Sequence, residues 1–526
     1  MTQTLQALSI VDGGPLPEPT SRDLVEVLRR AATAGTGGIV HIGPDGEETW
    51  SYQDLLADAA RVLTGLRAAG VHPGDKVVMQ VERAPDLLAA FWACVLGGFV
   101  PVPVTTSPPP NSAYDAAGLL AGVWGMLDGA WVLADRAFPT SYLGDVDSLR
   151  ASEPATRFHR PDPDSPAVLL LTSGSTGLPK AVTLTHRNIV SRSAATAAVR
   201  GLTSANRTFN WMPLDHVGGL VMFHARDTYL GCHQVHAPIS WVLQDPLRWL
   251  DVISAHRCDT TWAPNFAFGL VVDRADRIAG KSWDLSRLRY IMNGGEPIKP
   301  RVANRFLSLL APFGLPSTAM HPGWGMSETT AGVVDCVYPA GMDEDTRFIP
   351  VGVPHPGLSL RVVDEAGEVV PEGVEGRLQA TGLPITPGYY NNPEQNARSF
   401  SADGWFKTGD LAFLRDGVLT VTGRVDDVVE IDGVGYFGHE IEAVVEELPF
   451  VAPSYTVACP VNGDLVIFYV PRSGTGSDAD AWHIVDHVSQ RMSVPVRRVV
   501  AVTADQVPKT GIGKLRRSAL AATLED

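Results

Sequence analysis

Apolar positions along the first part of this chain fall into two alternating rhythms. Short apolar runs bounded by glycine, proline or polar clusters read as strands, and segments with apolar residues three or four apart read as helices. The stretch opening at Ser21 predicts a capped helix with Leu24, Val27 and Leu28 on one face. Thr49 to Tyr52 reads as a strand and Gln53 to Ala68 as a helix. Asp75 to Gln80 is a strand behind a Pro73-Gly74 turn, Pro85 to Leu96 is helical, and Pro101-Val-Pro-Val runs extended into the proline-rich loop Ser107 to Pro110. Such alternation predicts a layered α/β domain. The apolar stretch Leu87 to Val104 is broken by Gly97, Gly98 and Pro101, so it predicts no membrane span.

Further on, the same grammar recurs with polar endings. Ala167 to Leu171 reads as a buried strand, Ala181-Val-Thr-Leu leaves the loop that follows it, and Thr185 caps a predicted helix from His186 to about Val199. Phe209-Asn-Trp-Met-Pro-Leu-Asp-His-Val-Gly-Gly leads into an apolar helix pattern. Thr260-Thr-Trp-Ala-Pro, Tyr290-Ile-Met-Asn-Gly-Gly-Glu-Pro and Trp324-Gly-Met-Ser-Glu-Thr-Thr each read as a strand whose end presents polar or glycine residues. Active residues on strand-end loops are common in α/β folds. From about residue 351 the texture turns β-rich, and the last hundred residues or so read as a small α+β unit.

Composition narrows the function. With 526 residues, 45% of them hydrophobic, the chain has ample core for at least two domains. A net charge of −16 without a basic block argues against a nucleic-acid partner. Five scattered cysteines with no Cys-x-x-Cys suggest neither a disulfide framework nor a cysteine zinc site. Met1 to Pro19 has neither a basic nor an apolar leader segment, and the expectation is a cytoplasmic protein.

The candidate chemistry begins at Leu170-Leu-Thr-Ser-Gly-Ser-Thr-Gly-Leu-Pro-Lys180. Hydroxyls, glycines and a lysine this dense suit a polyanion, because backbone N–H groups approach closely at glycine and lysine supplies charge. The spacing is not that of a Walker A loop. A Ser/Gly-rich surface hairpin is the competing reading. A second glycine run, Gly433-Val-Gly-Tyr-Phe-Gly438, satisfies G-x-G-x-x-G, but no acid stands where a dinucleotide site would need one.

Taken in order, the loop, Asn293-Gly-Gly-Glu-Pro, Trp324-Gly-Met-Ser-Glu, Lys407-Thr-Gly-Asp, Gly423-Arg-x-Asp-Asp and Pro508-Lys-Thr-x-x-Gly-Lys514 resemble the ANL superfamily of adenylate-forming enzymes. The resemblance runs from about residue 20 to 520. It implies an α/β fold: a large multi-layer N-terminal domain with a β-rich subdomain (1–425) and a small mobile α+β lid (426–526). It also implies an activity, in which a carboxylate attacks the α-phosphate of ATP, pyrophosphate leaves, and a thiol takes the acyl group from the adenylate. Transfer to phosphorus rests mainly on positioning and charge stabilisation.

The resemblance assigns residues to these tasks. Thr172, Ser173, Gly174, Ser175, Thr176, Gly177 and Lys180 would cradle phosphates, and Glu328 with Thr176 would attend Mg²⁺. Gly294, Gly295, Glu296 and Pro297 would line the adenine pocket, with Trp324 stacking on the base and Gly325, Met326 and Ser327 beside it. Asp410 would accept the ribose hydroxyls, assisted by Arg424. Lys514 would reach from the lid to the substrate carboxylate and ATP, with Lys509 a weaker rival; Asp426 would be the hinge, and Gly433 would admit a pantetheine arm.

The acid is less defined. Pro213-Leu-Asp-His-Val-Gly-Gly is closer to acyl and aryl ligases, whose histidine gates the carboxylate, than to amino-acid-activating domains, so His216 takes that role; Asp215 could face a substrate amine. Val217, Gly218, Met222, Phe223, Trp262, Asn265, Phe266, Asn293 and Thr329 would complete the pocket, which suits an aryl, medium-sized or amino-bearing acid. The implied acceptor is CoA or the phosphopantetheine of a carrier protein, in secondary metabolism. The alternative is a relative that serves another nucleophile or oxyanion, by amide ligation or by activating nitrite for aryl-amine diazotisation. No G-x-S-x-G elbow supports a serine hydrolase.

Overall fold

The structure is a computed structural model, and it describes residues 7–44, 46–108, 114–172, 179–431, 434–461, 464–511 and 513–524. The predicted phosphate-loop residues Ser173, Gly174, Ser175, Thr176 and Gly177, and Gly433, lie outside the described residues.

The fold is mixed α/β, with a large N-terminal part and a smaller C-terminal one. Its centre is a run of parallel strands in the order Gly38–Gly43, His233–His236, Arg207–Asn210, Thr260–Ala263, Tyr290–Gly294 and Met320–Met326. Their apolar residues are buried on both faces, which explains why the sequence shows short continuous runs rather than alternation. The sheet continues antiparallel through Ala331–Asp335 and Pro350–Pro354 into the β-rich region, where Val418–Arg424, Phe406–Arg415, Gly376–Gly382 and Leu358–Val363 follow. A separate parallel sheet joins Val100–Pro103, Lys76–Gln80, Trp131–Ala134 and Tyr142–Gly144. Pro166–Thr172 and Lys180–Thr185 pair antiparallel, Thr172 facing Lys180, so the predicted loop springs from the end of a hairpin.

Local signals place the elements. The first helix is Leu24–Ala34, and its cap is Asp23, whose side chain accepts from the Glu26 N–H. Thr185 caps the helix His186–Arg200 in a reciprocal box with Asn188. The broken apolar stretch folds as the buried helix Ala84–Gly97 and the strand Val100–Pro103. Among the described residues no helix is long and apolar enough to cross a membrane. The C-terminal residues build their own apolar clusters, one of them around Ile441, Ile467 and Ile484. There Val434–Phe437 pairs with Val428–Ile431 as a hairpin strand, where a dinucleotide motif would need a loop.

Histidines inside the large domain make stability sensitive to acid. Burial holds His41 down to about 4, and His216 and His224 down to about 3, against an ordinary value of 6.5. Above pH 6.5 both folded and unfolded chains carry these rings neutral, so they have no effect. Below it the unfolded chain takes up protons that the folded chain refuses, and stability falls as the pH drops. At pH 5 each ring withholds on the order of 2 kcal/mol. Thermal melts should therefore show a midpoint several degrees lower at pH 5 than at pH 7.5; a flat profile across that window would contradict this.

Candidate active site

The carboxyl ends of the central parallel strands open on a cleft of roughly 2120 Å³. Single-ligand sites occupy about 300–1,000 Å³, so this one has room for two substrates. Open α/β sheets hold ligands at this end of their strands.

Three of its walls come from strand ends. Tyr290–Gly294 delivers Gly295 and Glu296. At Gly295, where φ is +85°, a Cβ would stand 3.4 Å from the Nζ of Lys514, so the glycine makes room for that lysine. Met320–Met326 delivers Trp324, Ser327 and Glu328. The hairpin Phe406–Arg415 and Val418–Arg424 sets Asp410 directly opposite Arg424, next to a register shift at Leu411/Ala412. There the Trp324 Nε1–H donates to Asp410 Oδ2 at 2.8 Å, and Arg424 Nε lies 3.5 Å from Oδ1.

After Asn210 the chain turns through Asp215 and His216 into a π-helix, Gly218–Ala225, a form frequent at functional sites. A Cβ on Gly218 would fall 2.2 Å from the Trp262 ring, so the glycine lets that indole lie against the turn. Trp262 in turn runs parallel to His216, with ring centroids 6.2 Å apart and planes 10° apart. His216 Nδ1 accepts from the Gly218 N–H at 3.0 Å. Asp215 is hydrogen-bonded by Thr105, just past the strand Val100–Pro103.

Lys514 comes from the C-terminal part, which docks through Lys299 Nζ to Glu446 Oε2 at 2.6 Å and through the Arg347–Glu440 ion pair. Its loop closes on itself: the Thr510 N–H donates to the Lys514 carbonyl at 2.7 Å. Burial lowers the pKa of Lys514, while Glu296 and Asp410 work to keep its charge. Burial raises Asp410 and Glu328 against the pull of Arg424 and of their hydrogen-bond donors. Glu296 is raised by burial too, although its Oε1 accepts the Phe266 N–H.

Most sequence-predicted residues with a described position meet in this one cleft. Thr172, Lys180, Asp215, His216, Val217, Gly218, Met222, Trp262, Gly295, Glu296, Pro297, Trp324, Gly325, Met326, Ser327, Glu328, Asp410, Arg424, Asp426 and Lys514 all line it. Several others lie behind the wall. Phe223 is core beneath the Arg226 guanidinium, and Asn293 faces away and donates to Asn265 Oδ1 at 3.4 Å. Thr329 spends its hydroxyl on the backbone of Met326 and Ala331, Phe266 is buried in the core, and Gly294 packs its Cα against the Gly323 carbonyl. Lys509 stands over the Tyr455 ring, 3.4 Å from its centroid, outside the cleft lining.

No motif of the sequence marks Tyr389. Its hydroxyl donates to Glu328 Oε1 at 2.7 Å, and Lys180 Nζ stands 5.4 Å from its ring centroid, so it links the buried carboxylate to Lys180. The available signal was an aromatic pair, Tyr389-Tyr390, in a glycine- and asparagine-rich loop. Met292 and Gly332 also belong to the pocket wall, the Met292 methyl filling the space where a Gly332 side chain would stand.

Comparison with known proteins adds three findings. The AMP-binding enzyme family model matches residues 28–117 and 127–390, and that of the AMP-binding enzyme C-terminal domain matches residues 440–514. The chain is 31% identical over 528 residues to the aspulvinone E synthetase of Aspergillus terreus, covering 94% of this chain and 57% of that protein, so it spans little more than half of the curated relatives it matches. Among solved structures, McyG A-PCP complexed with phenylalanyl-adenylate superposes with a TM-score of 0.91 at 36% identity, covering 98% of this chain and 85% of that one. An adenylation domain of a keto acid-selecting NRPS module bound to keto acyl adenylate gives 0.78 at 35% identity, covering 94% and 100%.

Proposed function

We infer, from a chain that belongs to the AMP-binding enzyme family, that it activates a carboxylic acid with ATP as an acyl-adenylate, releasing pyrophosphate, and passes the acyl group to a thiol. The observation that carries the reading is the meeting in one cleft of Lys514, Glu328 and Asp410, from three distant parts of the sequence. Asp410, braced by Trp324 and Arg424, is suited to accept from both ribose hydroxyls. Gly295, Glu296 and the Trp324 ring border the space for adenine. Lys180 and the hydroxyl-rich loop before it take the β- and γ-phosphates. Lys514 lies between the nucleotide and acid regions, where it offsets charge that builds on the α-phosphate and the attacking carboxylate.

Among the described residues no group of three or more His, Cys, Asp or Glu could hold a metal alone. A single buried carboxylate, Glu328, oriented by Tyr389, nevertheless suits Mg²⁺, which binds through one or two carboxylates plus substrate phosphates. When bound, that ion would neutralise phosphate charge. We assign the acceptor as a carrier-protein phosphopantetheine rather than CoA, since the McyG neighbour is an adenylation–PCP pair. The Val425–Asp427 turn that carries Asp426 joins the β-rich region to the C-terminal part and is the hinge for a lid comprising 426–526.

The test is acid-dependent exchange of labelled pyrophosphate into ATP across a panel of aryl and aliphatic acids, followed by AMP release with CoA or a phosphopantetheinylated carrier. Acid-dependent exchange is expected, with thiol-stimulated AMP release. Exchange with no acid would sink the reading; exchange without thiol-dependent release would move it to the alternative with another nucleophile.

A further inference from the structure

The two solved neighbours carry different acyl groups, one phenylalanyl and one keto acyl, so one brings an ammonium to the acid region and the other a carbonyl oxygen. The turn after Asn210 bears on that choice. His216 Nδ1 accepts the Gly218 N–H at 3.0 Å and therefore carries no proton of its own. A neutral imidazole with an unprotonated Nδ1 has its hydrogen on Nε2. Among the described residues no hydrogen bond engages Nε2, and the ring lines the cleft. Trp262, parallel to the ring, fixes its plane. The ring stays neutral because burial and the charge of Lys514 both hold it down to about 3.

We propose that His216 is a specificity-determining residue whose fixed Nε2–H donor selects acids with an acceptor oxygen beside the carboxyl, α-keto acids, over α-amino acids. An ammonium has only donors, so it would meet the Nε2–H donor-to-donor, and the Lys514 charge adds repulsion. The neighbouring carboxylate, Asp215, already accepts from Thr105, and burial raises its pKa, which weakens its pull on an ammonium. A buried donor left unpaired by the wrong ligand discriminates more strongly than a missing contact does. An acid with an unsubstituted α-carbon leaves Nε2–H unpaired and should rank between the two.

This inference rests on the adenylation reading above. Its test is pyrophosphate exchange by the full chain with matched acids on two side chains: phenylpyruvate, 3-phenylpropionate and phenylalanine, and 4-methyl-2-oxopentanoate, 4-methylpentanoate and leucine. The keto acid of the better-accepted side chain is expected to exceed its amino acid by about 10²-fold in kcat/KM. His216→Ala should cut that ratio by about tenfold, with the keto acid losing more than the unsubstituted acid whatever loss the two share. His216→Gln, which keeps an N–H donor, should recover part of the ratio. A wild type that prefers the amino acid, or an unchanged keto-to-amino ratio in His216→Ala, overturns the role of His216 while leaving adenylation standing. Exchange with none of the six acids while another acid of the wider panel is accepted overturns this inference alone, and exchange with no acid at all, despite ATP binding, overturns the adenylation reading and this one with it.

Discussion

Replacing Lys514 with alanine is expected to lower pyrophosphate exchange by roughly 10²–10³-fold while ATP binding persists. The ammonium is buried in the cleft with Glu296 and Asp410 sustaining its charge, so it is preorganised and does not have to shed water when charge builds on the α-phosphate. Its binding contribution is small by comparison, because the ribose and adenine regions are bordered by residues outside the C-terminal part. Arginine should not substitute. The guanidinium is broader than an ammonium, and Lys514 Nζ already lies only 3.4 Å from where a Cβ on Gly295 would stand, which leaves little space beside it. Lys509→Ala provides the contrast: its ammonium is spent on the Tyr455 and Phe266 rings, and the loss should appear in thermal stability rather than in exchange. Exchange assays paired with calorimetric ATP titration separate the cases. Near-normal exchange by Lys514→Ala, or a collapse confined to Lys509→Ala, would reverse the assignment.

The sequence made the strand-end layout legible because parallel strands buried on both faces announce themselves as short apolar runs, and their ends are where polar residues gather. Which way each side chain turns was less legible. On Tyr290–Gly294 successive residues face opposite sides, so Met292 lines the cleft while Asn293, the motif residue, turns into the core. Thr329, one residue past Glu328, is expected in the pocket, yet the turn there bends its hydroxyl back to the backbone. Phe223 departs from the expected pocket for another reason: a π-helix turns its residues by a different angle from the α-helix that the apolar pattern suggests. Tyr389 stands 61 residues from Glu328 on a two-residue strand, Gly388–Tyr389, too short to leave any periodicity. The Lys514 motif implies that the C-terminal part reaches the site, but the contact that docks it is not legible, since Lys299–Glu446 joins residues 147 apart that carry no motif.

Removing the Asp410 carboxylate as Asp410→Ala should raise the KM for ATP by about 10²-fold, and Trp324→Phe should raise it by about tenfold. A carboxylate that accepts from both ribose hydroxyls must be held in one plane, and one donor and one charge hold this one: the indole N–H on Oδ2 and the Arg424 guanidinium paired with Oδ1. Phenylalanine keeps a ring to border the adenine but loses the N–H, so the variant isolates the hydrogen bond from the stacking face. The same donor helps keep Asp410 ionised against burial, which raises its pKa. Without the indole N–H the carboxyl should protonate at a higher pH, and the acid limb of ATP affinity should move upward. Because the indole acts through the carboxylate, the two substitutions cannot be independent. In an Asp410→Ala background, Trp324→Phe should add little to the loss in ATP affinity. Fully additive losses would mean that Trp324 serves only as a stacking surface, with the 2.8 Å contact to Asp410 contributing nothing to nucleotide binding.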